Sequence, residues 1–132
     1  MPLNNINPTE TNAWKALKAR FEETKDVHMK SLFSEDKNRK ENFSLQFEDL
    51  TLDFSKNRID AQTLDLLIEL TAECNLNQGI EKYFNGDKIN ETENRAVLHT
   101  ALRNNDEGSV EVDGFDVMPE VRATLNKTSY AT

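Results

Sequence analysis

The sequence predicts a mostly helical fold that carries small β-hairpins. Three observations lead there. Apolar residues recur at helical spacing in several stretches. The period switches to two over residues 43–54. Turn pairs such as Asn85-Gly86 and Asp113-Gly114 separate the segments.

Residues 1–8 are polar, contain two prolines and read as an extended arm. Thr9 or Thr11 can cap the first helix, because a hydroxyl accepts bonds from free backbone N–H groups. Trp14, Leu17 and Phe21 then form one apolar stripe. A second short helix is expected around Val27 to Phe33. Ser34 to Asn42 is highly charged and has no apolar residue, so it reads as a surface connection with at most a helical turn.

Phe43, Leu45 and Phe47 alternate with polar residues, as do Leu50, Leu52 and Phe54. Period two implies strands with one buried and one wet face, and Glu48-Asp49 marks the turn of a hairpin. Asp60 can cap the next helix, whose apolar face is expected at Leu64, Leu67, Ile68 and Thr71. Asn75 to Gly79 breaks the pattern. A short helix over Ile80 to Phe84 then ends at Asn85-Gly86, where glycine can turn left-handed. Asn90 and Glu93 have capping-box spacing, which predicts a helix with Val97, Leu98, Ala101 and Leu102 on one face. Asn104 to Ser109 is polar and ends it. Val110 to Val112 reads as a brief strand before the turn Asp113-Gly114. A last helix starts near Asp116 with Val117, Val121 and Leu125 on one stripe.

The bulk properties narrow the function. The 132 residues fit one domain or a piece of a larger one. They are 36% hydrophobic and 30% charged, with a mean hydropathy of −0.73, so the core can only be modest. A net charge of −8 opposes binding to nucleic acid and to anionic membranes. Cys74 is the single cysteine, which rules out an internal disulfide and favours a reducing compartment. It follows an apolar run and reads as a small buried hydrophobe rather than a nucleophile. No apolar run reaches the length of a spanning helix, and the N-terminus lacks signal-peptide features. The expectation is a soluble, cytoplasmic, acidic protein.

Chemistry is hard to find in the residues. His28 and His99 are the two histidines, and neither has a partner at metal-ligand spacing, so no metal site is expected. His99 reads as a packed helical histidine with a hydrogen-bond partner. The four glycines form no phosphate-binding loop. Thr128-Ser129 is the one dense hydroxyl pair, and it sits in the tail. The acidic residues, Asp106-Glu107 and Glu111-Asp113 among them, read as solvated surface. No catalytic residue, cofactor-binding residue or metal ligand can be named.

Three stretches carry a resemblance. They are Ser55-Lys56-Asn57-Arg58-Ile59, the string Phe84-Asn85-Gly86-Asp87-Lys88-Ile89-Asn90-Glu91-Thr92-Glu93-Asn94-Arg95-Ala96-Val97-Leu98-His99-Thr100-Ala101-Leu102-Arg103-Asn104, and Val112-Asp113-Gly114-Phe115-Asp116-Val117-Met118-Pro119-Glu120-Val121. Together they resemble the N-terminal quarter of the glucose-6-phosphate isomerase family, from about Ile6 to Lys127. Asn94 departs from the pattern, since the family usually has glycine there; its expected place is the first turn of a helix, which tolerates asparagine. The resemblance divides the chain into an arm (1–8), a family-like helical region with hairpins (9–127) and a divergent tail (128–132).

The resemblance implies an intramolecular aldose–ketose isomerase that interconverts glucose 6-phosphate and fructose 6-phosphate through an enediol, in glycolysis and gluconeogenesis. It implies the flanking portion of an α/β three-layer sandwich, a homodimer in the full-length enzyme, a sugar phosphate substrate and no cofactor. The family's catalytic glutamate, histidine and lysine and its phosphate-binding hydroxyls match no position here. Glu93, Arg95 and His99 belong to the family string but are expected to cap, pair and pack. The chain is therefore expected to be a truncated piece, inactive alone, with apolar faces meant for absent segments. The alternative is a stand-alone acidic helical module that binds a protein partner.

Overall fold

The computed structural model describes residues 5–104 and 108–129. Part of the expected arm (1–4), Asp106 and Glu107 within 105–107, and the tail residues 130–132 lie outside the described residues. About half of the chain is helical, with two small antiparallel hairpins. It forms two compact bodies. One is Asn7–Cys74, and the other takes residues 75 onward together with those up to Ile6.

The first body opens with a 3-10 turn, Pro8–Glu10, and then helix α1, Asn12–Thr24. Of the two candidate caps Thr11 is the one used, accepting from the Trp14 N–H at 3.2 Å. Helix α2 spans Met29–Glu35 and the single turn α3 spans Arg39–Asn42. Strands β1 (Ser44–Phe47) and β2 (Leu50–Asp53) pair as a hairpin, with Leu45 opposite Leu52 and Phe47 opposite Leu50. Glu48, at φ +51°, makes the turn. Helix α4, Ala61–Glu73, is capped as expected: the Asp60 Oδ1 accepts from the Thr63 N–H at 2.8 Å.

Helices α1 and α4 pack against each other and run antiparallel. Glu73, at the end of α4, accepts from the Asn12 and Ala13 N–H groups at 2.8 and 3.1 Å. A carboxylate at a helix start satisfies orphan donors and suits the helix dipole. At the other end Arg20 pairs with Asp60. Ala13 is buried at this contact.

The expected apolar faces are covered only in part. Trp14 and Phe21 lie exposed along an open apolar surface with Leu17. On α4 Leu67, Ile68 and Thr71 of the expected face are exposed, while Leu64 of that face is half-buried together with Leu66 and Leu70. The hairpin was expected to bury one face, yet Leu45, Phe47, Leu50 and Leu52 are all exposed. Periodicity identifies an apolar face, but which face finds a partner depends on distant chain.

The charged stretch Ser34 to Asn42 is a surface connection except at Arg39, which is 2% exposed and needs the correction. Its Nε donates to the Ser55 carbonyl at 2.8 Å, and its Nη2 donates to the carbonyls of Asn57 and Ile59, each at 2.8 Å. The guanidinium also lies 4.5 Å from the Phe43 ring centre. The loop Ser55–Ile59 is thus wrapped around one side chain. Arg58 from the same loop donates to the Lys25 and Val27 carbonyls at the end of α1.

In the second body helix α5 spans Leu76–Phe84, starting four residues before the expected Ile80. Asn75 takes the left-handed conformation (φ +55°) just before it. Gly86, at φ +75°, ends the helix as expected, and the Asp87 N–H bonds back to the Lys82 carbonyl at 3.0 Å.

The helix expected after Asn90 does not form. Asn90 does accept from the Glu93 N–H at 3.2 Å, but Asn94 is left-handed (φ +52°), so the chain reverses. Asn90 and Arg95 then exchange two backbone bonds of 3.1 Å each. Asn94 is therefore not in a helix's first turn. Its positive φ gives a physical reason for the glycine of the resembling family, and asparagine is among the residues that tolerate it. A 3-10 turn, Ala101–Arg103, is the local helical structure that does form.

Strands β3 (Glu111–Val112) and β4 (Phe115–Asp116) make the second hairpin, with Asp113 and Gly114 both at positive φ as a type I′ turn requires. Helix α6 spans Met118–Ser129, and the Asp116 Oδ1 accepts from the Met118 N–H at 3.0 Å. Met118 and Ala101 are buried in this body. No helix among the described residues is long and apolar enough to cross a membrane.

Candidate functional site

The second body holds a cleft of about 520 Å³ lined by both polar and apolar side chains. The end of α5 supplies Tyr83 and Phe84, whose rings meet edge-to-face at 5.5 Å. The 3-10 turn and the residues around it supply His99, Thr100, Arg103 and Asn104. Ser109 and Val110, ahead of β3, close the lining. Arg103 donates from Nη1 to the His99 carbonyl at 3.2 Å, which ties the turn together.

The lining offers an imidazole, a guanidinium, a phenol and two hydroxyls. Such groups can hold a small polar or anionic molecule. Among the described residues no carboxylate lines the cleft. A proton abstraction needs a base within hydrogen-bond reach, with a partner that orients it. Among the described lining residues His99 has no carboxylate beside it to serve as that partner.

A second concavity, of about 350 Å³, lies in the first body between α2, α3 and the start of α4. Glu35, Asp36, Asp60 and Asp65 line it. Those carboxylates would repel a phosphate, and two of them are already engaged. Asp36 accepts from the Asn38 N–H at 3.0 Å and from Asn42 Nδ2 at 3.1 Å. Asp60 holds Thr63 and Arg20. Partial burial would by itself raise the Asp60 carboxyl, but the bonds from Arg20 and Thr63 outweigh it and bring it down to about 2. The same pair raises the Arg20 guanidinium. Arg39 lines the wall, but its Nε and Nη2 donate to carbonyls of the Ser55–Ile59 loop.

The residues singled out from the sequence are scattered over the fold. His28 caps α2, its Nδ1 accepting from the Lys30 N–H at 3.1 Å. His99 lines the cleft, but it sits exposed in a turn and is not packed on a helix. Cys74 is half-buried at the end of α4. Glu93 bonds with Asn90 inside the chain reversal, where no helix follows for it to cap, and pairs with Arg95 at 3.7 Å as expected. The Thr128 hydroxyl donates to the Thr124 and Leu125 carbonyls inside α6, so it is not a ligand group. Among the described residues no three His, Cys, Asp or Glu side chains are grouped to hold a metal. Tyr83 and Arg103, which sequence reasoning passed over, carry no local pattern that would mark them as cleft residues.

Comparison with known proteins adds what the geometry lacks. The sequence model of the phosphoglucose isomerase family matches residues 53–131. The chain is 51% identical over 126 residues to glucose-6-phosphate isomerase from Wigglesworthia glossinidia brevipalpis, covering 95% of this chain and 23% of that protein. It is 49% identical over 125 residues to glucose-6-phosphate isomerase from Christiangramia forsetii, again 95% of this chain and 23% of that protein. The chain thus spans about a quarter of the length of these curated relatives.

Proposed function

Because the chain belongs to the phosphoglucose isomerase family, we propose that it forms the N-terminal part of a glucose-6-phosphate isomerase. The reaction is the interconversion of glucose 6-phosphate and fructose 6-phosphate. Once the sugar ring is open, a base removes the proton from carbon 2 of the aldose and the enediol forms. Return of a proton to carbon 1 gives the ketose. No electrons leave the sugar, so neither oxidant nor reductant is needed.

The observation that carries this reading is identity near one half over 95% of the chain to two enzymes of that activity. The reading is a division of labour: the base and the phosphate-binding hydroxyls belong to the part of the enzyme that this sequence does not include, the chain covering 23% of each relative. The role of these 132 residues is to build and support the subunit. On this reading the whole subunit is an α/β sandwich, two subunits make a homodimer, and the enzyme works in the cytoplasm on a sugar phosphate.

A labelling experiment tests it. In D2O, the chain mixed with the remaining three quarters of a relative is expected to convert fructose 6-phosphate into glucose 6-phosphate bearing deuterium at carbon 2. The chain alone is expected to leave the sugar unconverted and unlabelled by NMR. Conversion by the chain alone would overturn the division of labour.

A further inference from the structure

The β1–β2 hairpin is apolar on one face and polar on the other along its whole length. The pairing puts two apolar pairs on the same face, Leu45 with Leu52 and Phe47 with Leu50, and Phe43 and Phe54 flank the strands just inside them, bonded from the Phe54 N–H to the Phe43 carbonyl. The Phe43 and Phe54 rings are edge-to-face at 5.7 Å, and Phe43 is 3% exposed. The two strand pairs leave the core. Leu45 and Leu52 are 62% and 57% exposed, and Phe47 and Leu50 are 72% and 66% exposed. The opposite face carries Ser44, Gln46, Thr51 and Asp53, where the Thr51 and Gln46 side chains bond to each other. The hairpin is therefore patterned for a half-buried sheet, but among the described residues its two strands have nothing on the apolar side. Both strands also have an open backbone edge, since the sheet has two strands.

We propose that the apolar face formed by Leu45, Phe47, Leu50 and Leu52 docks a segment of the same isomerase subunit from the three quarters this sequence does not include. The occupant is argued from length. The matches to the relatives cover 95% of this chain and 23% of each relative, so the relatives are about four times longer. A face that continues the core ladder of Phe43 and Phe54 calls for an intramolecular cover. The proposal takes the identity of that cover from the function proposed above. The geometry of the face itself does not depend on it.

The test uses the chain with a tagged polypeptide comprising the other three quarters of the Wigglesworthia enzyme. Capture is expected at one to one, and backbone amides over 44–53 are expected to gain at least tenfold protection from hydrogen exchange. The double variant Phe47→Gln/Leu50→Thr is expected to weaken capture at least tenfold, while Phe47→Leu retains it. Both variants should leave the far-ultraviolet circular dichroism of the chain unchanged, because the replaced side chains are mostly exposed. Capture that leaves the hairpin amides unprotected and ignores the double variant would overturn the proposal. So would failure of capture. A chain that dimerises alone, and becomes monomeric in the double variant, would overturn it by making a second copy the occupant. Capture with hairpin protection but no isomerase turnover would sink the functional reading and leave the docking face standing.

Discussion

At the scale of single residues, two charged side chains do work that their surroundings define. Arg39 sits in a stretch whose composition reads as solvated surface, yet its guanidinium donates to three carbonyls of one loop. Removing it leaves those carbonyls with poorer partners in a buried place. Arg39→Ala is expected to cost about 3 kcal/mol in urea unfolding, and Arg39→Lys to recover less than half, because an ammonium cannot replicate the planar fork. Equal stability of all three proteins would contradict the role assigned to Arg39. Asp60 supplies a pH dependence. Its carboxyl is held at about 2 in the folded chain, below the ordinary value near 3.9. Its contribution is therefore complete above about pH 4 and is lost as the pH falls through 2. With the side chain 30% exposed, screening limits it to about 1 kcal/mol. The urea midpoint should fall between pH 5 and pH 2.5, and Asp60→Asn should reduce that fall. It should not abolish it, since Asp53 is also lowered, first by the Ser55 hydroxyl and then by the Ser55 N–H.

At the scale of elements, Gly86 shows why one turn cannot be altered. Its φ is +75°, and a Cβ there would lie 2.5 Å from the Glu111 carbonyl oxygen. Gly86→Ala is expected to cost about 2–3 kcal/mol, from backbone strain plus a clash with a carbonyl that belongs to another strand. A thermal midpoint equal to the parent's would contradict this. The elements legible in the sequence are those set by local chemistry. Thr11 and Asp60 act as caps because a side-chain oxygen needs only the next turn of helix. Asp113-Gly114 and Glu48-Asp49 turn because their chemistry is contained in a few residues. The expected helix over Val97 to Leu102 failed for an equally local reason. Asn94 took the left-handed conformation, and the capping residues Asn90 and Glu93 closed a reversal in place of a helix. What could not be read was which apolar face is covered. Trp14, Phe21, Leu67 and Ile68 have the spacing of core residues and are exposed. Nor could the candidate cleft be read, since Tyr83, Arg103 and Ser109 meet through the fold and not through a motif.

At the scale of the whole molecule, open apolar side chains support incompleteness of the packing. Among the described residues Leu45, Phe47, Leu50, Leu52, Phe84 and Phe115 are each more than half exposed. A subunit piece that rests on the remaining chain accounts for these open faces. The central claim is that these residues are part of a glucose-6-phosphate isomerase whose chemistry is carried elsewhere in the enzyme. The most direct measurement is isomerase turnover in a coupled assay of the chain alone, of the remaining three quarters of a relative alone, and of the two together. The expected result is no turnover from either piece and turnover from the mixture. Turnover that follows the chain alone through successive purification columns, or full turnover from the three quarters without it, would contradict the claim.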